Sequence, residues 1–245
     1  MTKRLVCTIP LVLLLAPVAA FAQIHQVSSS SSSDARSTVN FTIGYFGLRG
    51  LDSRPNDDVL VGDLLNDHPL LFEVKDLNSP VVGGEYLLAV QRNVEVGVGV
   101  AFAQRTVPSV YADLTHPNGD EIMQDVKLRQ IPVTFTGRFL ILPAGSPVVP
   151  YVGAGLAAIR YHYSEVGEFV DADGTIFPAS YVADGVATGP VVLAGVRSGG
   201  AKWTVGGEVR WQRATAKNLL DQGDFLGNTL DLGGWNVNFT TGVRF

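Results

Sequence analysis

The segment Trp235–Phe245, "WNVNFTTGVRF", decides how the rest of the chain is read. Side chains alternate along extended backbone. Trp235, Val237, Phe239, Thr241, Val243 and Phe245 therefore share one face of a strand, and Asn236, Asn238, Thr240, Gly242 and Arg244 share the other. One face is apolar with an aromatic at each end, and the other is polar. Ten steps at about 3.3 Å, tilted by about 40°, rise about 25 Å, the height of the apolar band that a spanning β-strand presents to lipid. Such a strand needs something apolar against its oily side.

The same alternation recurs upstream. In 38–48 (TVNFTIGYFGL), Val39, Phe41, Ile43 and Tyr45 share a face; in 81–90 (VVGGEYLLAV), Val82, Tyr86, Leu88 and Val90 oppose Glu85. The clearest internal case is 94–105 (VEVGVGVAFAQR), with Val94, Val96, Val98, Val100 and Phe102 against Glu95, the glycines and Arg105. In 130–139 (QIPVTFTGRF), Ile131, Val133, Phe135 and Phe139 oppose Thr134, Thr136 and Arg138; in 203–212 (WTVGGEVRWQ), Trp203, Val205, Val209 and Trp211 oppose Glu208 and Arg210. Segments 150–163 and 188–197 are strand-like but apolar on both sides, so alternation leaves their faces open. That makes eight strands.

Short and long connections alternate between them, and the long ones are polar: GLDSRPNDDVLVGDLLNDHP, VYADLTHPNGDEIMQD, GEFVDADGTIFPAS and TAKNLLDQGDFLGN. Short turns at one end and long loops at the other, on an even number of strands, are the pattern of an antiparallel up-and-down transmembrane β-barrel. Eight strands enclose an interior that side chains can fill. The inward set Glu85, Glu95, Arg105, Arg138, Glu208, Arg210 and Arg244 mixes both signs, so the expectation is a bore blocked by a paired network, since an unpaired buried charge is costly. Trp203, Trp211 and Trp235 are expected to form an aromatic girdle at the band's rims.

The chain opens on MTKRLVCTIPLVLLLAPVAAFAQ, where Lys3 and Arg4 precede an apolar run and Ala20-Phe21-Ala22. That pattern reads as a secretory signal peptide over 1–22, cleaved after Ala22. Pro10 and Pro17 interrupt a run already shorter than the roughly 20 residues of a spanning helix. Cys7 lies inside the signal, so the mature chain would carry no thiol. Residues 23–37, with serines from Ser28 to Ser33, read as a flexible leader, and 38–245 as the barrel. Cleavage takes the net charge from -5 to -7, which argues against a nucleic-acid partner.

The signal segment, the eight alternating segments, PVVPYVGAGLAAIRYHY at 147–163 and FTTGVRF at 239–245 resemble the small outer-membrane β-barrel proteins of Gram-negative bacteria related to the membrane domain of outer membrane protein A. The resemblance covers Ser37 to Phe245. It implies a bacterial outer-membrane location, contact with outer-membrane lipid and lipopolysaccharide, and a last strand read by the barrel-assembly machinery through Phe239, Val243 and Phe245. The expectation is a barrel without the peptidoglycan-binding domain of the family's namesake, so cell-wall anchoring does not come with the resemblance. The expected role is structural or in surface contact through loops whose ligand the sequence does not name, without enzymatic activity or cofactor. The alternative is a narrow passive channel for small or hydrophobic solutes.

Three short motifs carry other chemistries. GAGLAA, Gly153 to Ala158, fits a dinucleotide fingerprint, but the residues after it are β-like where the fingerprint needs a helix. His162, Ser164 and Glu165 resemble in spacing the catalytic group of outer-membrane lipid A deacylases, which makes an acyl hydrolase a remote alternative. Asp171–Thr175 and His116–Glu121 offer oxygens to a cation without completing a calcium loop, and His25, His68 and His116 form no readable ligand set.

Overall fold

The computed structural model describes residues 37–143, 146–171, 173–198, 200 and 202–245; the signal segment and the leader up to residue 36 lie outside them. In chain order the strands are β1 (Ser37–Leu48), β2 (Ser79–Gln91), β3 (Val94–Thr115), β4 (Glu121–Leu140), β5 (Val148–Val170), β6 (Ile176–Ser198), β7 (Trp203–Gln212), β8 (Thr215–Lys217), β9 (Thr229–Asp231) and β10 (Gly234–Arg244). Among the described residues, eight of these close an antiparallel barrel in the order β1-β10-β7-β6-β5-β4-β3-β2, while β8 and β9 pair separately. Closure is reciprocal at one end: Phe245 N donates to Ser37 O at 3.0 Å and Ser37 N to Phe245 O at 3.1 Å. A closed barrel leaves no edge and satisfies its backbone internally, as lipid requires.

The wall is inverted relative to a soluble protein. Phe41, Ile43, Val98, Phe135, Leu156, Val237 and Phe239 stand exposed on the outside, while Asn40, Glu85, Thr136, Arg138, Glu208 and Asn238 are buried within. The structure also fixes the two faces that alternation left open. On β5, Tyr151, Ala157, Ile159 and Tyr163 point in; on β6, Ala187, Val191, Leu193 and Arg197 point in.

Two of the four expected long loops are instead strand. GEFVDADGTIFPAS and VYADLTHPNGDEIMQD belong largely to the continued hairpins β5/β6 and β3/β4, which turn only at 171–175 and 116–120. Above the lipid-facing band the same parity persists but the polarity of the two faces is exchanged. Gln104, Lys127 and Arg129 face out, whereas Val107, Val126, Leu128 and Tyr163 are buried inside. Water has replaced lipid outside, so the apolar side chains turn inward.

That inner core is covered by the two remaining connections. Residues 49–78 carry helix α1 (Val59–Leu65), and 213–233 carry the β8/β9 hairpin. Val59 and Leu60 from the first, and Leu219, Phe225, Leu230 and Leu232 from the second, pack against Ile159, Tyr163 and Ala183 of the wall. Asp58 caps α1 by accepting from Leu60 N at 3.1 Å and ties it to the other connection by accepting from Asp231 N at 2.6 Å.

Candidate functional site

Midway down the bore, charges from three strands converge. Arg138 of β4 pairs with Glu208 of β7 at 2.8 Å and also with Glu85 of β2. Arg210 pairs with Glu208 at 2.8 Å and approaches Glu85 at 3.7 Å. Tyr151 donates its hydroxyl to Glu208 at 3.1 Å and stacks beneath the Arg138 guanidinium at 4.8 Å, while Thr136 donates to Glu85 at 3.2 Å. Two carboxylates shared between two guanidiniums and two hydroxyls leave each charge compensated, which is the condition for holding ions in a dry interior.

Small residues make the space. A Cβ on Gly195 would lie 2.5 Å from the Tyr151 ring, and one on Gly97 would lie 3.0 Å from Glu85 Oε1. The void beside Glu85 measures about 30 Å³, room for a water and for no solute of metabolite size.

Nearer the short turns, Glu95 pairs with Arg197 of β6. Neither Arg197 nor Tyr151 stood out in the sequence, because both lie in segments apolar on both sides; the charge of Arg197 itself could have fixed that face. Two members of the expected network lie elsewhere. Arg105 is exposed, its Nε donating to the Asp76 carbonyl at 3.2 Å where β2 no longer flanks β3. Arg244 sits half-buried at the turn end, with Nη1 on the Gly200 carbonyl at 2.9 Å. Glu85, Arg138, Glu208 and Arg210 are brought together, and Glu95 stands apart from them with Arg197.

A second polar group lies under the cap. Asp63 of α1 accepts from the Tyr163 hydroxyl at 3.1 Å within the apolar core. Burial, then the nearby Glu165 carboxylate, holds Asp63 well above the usual carboxylate range. Burial likewise raises Asp58, against the opposing pull of Arg54, which it meets at 2.9 Å.

On the outer wall, His162 Nδ1 lies 3.0 Å from Asp184 of β6, not beside Glu165. Glu165 points into the barrel, so the expected acid is on the wrong face, and Asp184 occupies that place. GAGLAA is an uninterrupted part of β5, which removes the helix a dinucleotide site needs. Asp171–Thr175 and His116–Glu121 are hairpin tips; His116 instead meets Glu168 at 2.9 Å, and His68 meets Asp113 at 3.0 Å. Trp211 and Trp235 face each other across β7 and β10, and Trp203 pairs with Val243 near the opposite end. Phe239 and Val243 lie on the outward parity of β10, and the exposed Phe245 follows one residue past its end.

No family model matches the chain, and no curated protein matches it. Solved structures of similar shape include outer membrane protein OprG from Pseudomonas aeruginosa, at 11% identity over 86% of this chain and 97% of that one, TM-score 0.48. Neisserial surface protein A aligns at 13% identity over 85% and 97%, TM-score 0.46. The outer membrane protease OmpT from Escherichia coli aligns at 9% over 89% and 99%, TM-score 0.44. These likenesses concern overall shape, and the assignment rests on the chain's own geometry. By closure, strand count, inverted wall and unequal ends, the chain has the fold of an eight-stranded transmembrane β-barrel of the outer-membrane type.

Proposed function

We propose that the protein is an integral outer-membrane barrel with a closed bore, acting structurally or through surface contact rather than as a conduit or an enzyme. The carrying observation is the Arg138 bridge between Glu85 and Glu208 across the bore. The α1 and β8/β9 cap above it adds a second closure. On this reading outer-membrane lipid and lipopolysaccharide surround the wall, and the barrel-assembly machinery reads the last strand through Phe239, Val243 and Phe245. The extended β3/β4 and β5/β6 hairpins supply the exposed surface for a partner outside the cell.

Planar-bilayer recording tests the closed bore. The wild-type protein should give no steady conductance steps, and Arg138→Ala combined with Glu85→Ala should introduce them. Steady wild-type steps would favour the narrow channel.

An acyl hydrolase on the lipid-facing wall has one observation in its favour, the pairing of His162 with Asp184 two residues from Ser164. No hydrogen bond joins the Ser164 hydroxyl to the imidazole among the described residues. Mass spectrometry of lipid A from cells expressing the protein separates the readings: unchanged acylation fits the non-enzymatic one, whereas acyl loss that Ser164→Ala abolishes would establish the hydrolase.

A further inference from the structure

The outer wall changes character abruptly on two neighbouring strands. On β4, Val133 and Ile131 give way to Arg129 and Lys127; on β5, Leu156 and Ala158 give way to Arg160, His162 and Ser164. Register sets Arg129 opposite His162, Lys127 opposite Ser164 and Ile131 opposite Arg160. Arg129 is diagonal to Arg160, at about 7–8 Å between Cβ atoms, and lies two residues along β4 from Lys127, so it is the centre of a row of three long cationic side chains that can reach one multiply charged group.

Lys127, Arg129 and Arg160 have no ion pair or side-chain hydrogen bond among the described residues, and the nearby Asp184 carboxylate is paired with the His162 imidazole. In a chain of net charge -5, three unanswered cations lie together at the first outward positions above the apolar run. The short turns and the joined chain ends lie at the other end of the barrel.

We propose that this patch binds the phosphates of a phosphorylated lipid in the outer leaflet, with the acyl chains lying on the apolar wall below. The inference rests on the outer-membrane reading and adds a defined lipid site to it. Position selects a lipid over a free anion: the cations stand where headgroups meet acyl chains, and guanidinium forks suit phosphate oxygens.

The test uses the full barrel in detergent and native mass spectrometry with purified diphosphorylated lipid A, its dephosphorylated counterpart, and inorganic phosphate as competitor. Each cation near the headgroup plane contributes about fivefold, so K127Q/R129Q/R160Q should bind the diphosphorylated lipid about 100-fold more weakly than wild type. Asp125→Asn, on the same face of β4, removes a carboxylate beside Lys127 and should not weaken binding, and a boiled-versus-unboiled gel shows that the triple variant is folded. Should the triple variant not fold, R129Q and R160Q are measured singly, each with a loss of about fivefold. Equal binding by wild type and the folded variants, equal binding of the dephosphorylated lipid, or full displacement by equimolar inorganic phosphate would each overturn the site. A barrel that folds without detergent would instead overturn the membrane reading beneath it.

Discussion

Tyr163 on the barrel wall donates its hydroxyl to Asp63 on helix α1 at 3.1 Å, so a phenol and a carboxyl buried in an apolar core fasten the cap to the barrel. The cap should loosen as this carboxyl ionises. Asp63 is raised in the folded protein, so folding favours its protonated form; the stabilisation is complete below the ordinary Asp value of about 4 and is lost as pH rises through the elevated folded value. Hydrogen exchange over Val59–Leu65 should therefore speed up from acidic to alkaline pH by more than the intrinsic rate, and Asp63→Asn should flatten that excess. An excess that persists in the Asn variant would assign the change to another group.

The ionic cluster in the bore should be far more sensitive to losing one member than to losing all of its charge. Arg138→Gln leaves Glu85 and Glu208 dependent on Arg210, at an expected cost of about 3–5 kcal/mol in urea unfolding followed by tryptophan fluorescence in detergent. Neutralising Glu85, Glu208 and Arg210 as well, so that no charge is left unpaired, should recover most of it. A single variant as stable as wild type would show that the pairings carry no weight.

Inward and outward glycines should respond differently to the same kind of change. Gly195→Ala puts a methyl against the Tyr151 ring and should cost about 1–3 kcal/mol, visible as less heat-modifiable barrel after refolding. Gly137→Ala meets nothing nearer than a carbonyl at 4.0 Å and should refold as wild type.

How much of this was legible in the sequence depends on the medium outside each strand. Where lipid lies outside and polar groups lie within, as along Trp235–Phe245, one face is sharply unlike the other and both strand and side can be read directly. Along β5 and β6 small and apolar residues occupy both sides, because Ala154 and Ala194 face outward while Tyr151 and Leu193 fill the interior. Arg197 and Tyr151 were hidden for that reason. The upper halves of β3 to β6 looked like loops because their outward residues are polar. On β4 the alternation persists through Ile122, Gln124, Val126 and Leu128 with its polarity exchanged, the mark of a strand leaving lipid for water. The cap was illegible for another reason: α1 is short, and its burial depends on contacts with residues far along the chain.

The inverted wall and the closed bore both require that the apolar side of the strands meets lipid. Nitroxide labels at Val237 and at Asn238, adjacent residues on β10, should differ sharply in reconstituted vesicles: Val237 relaxed strongly by oxygen dissolved in the acyl region, Asn238 by neither oxygen nor a water-soluble nickel chelate. Val237 shielded from oxygen, or Asn238 open to it, would contradict the inverted wall and the closed bore it encloses.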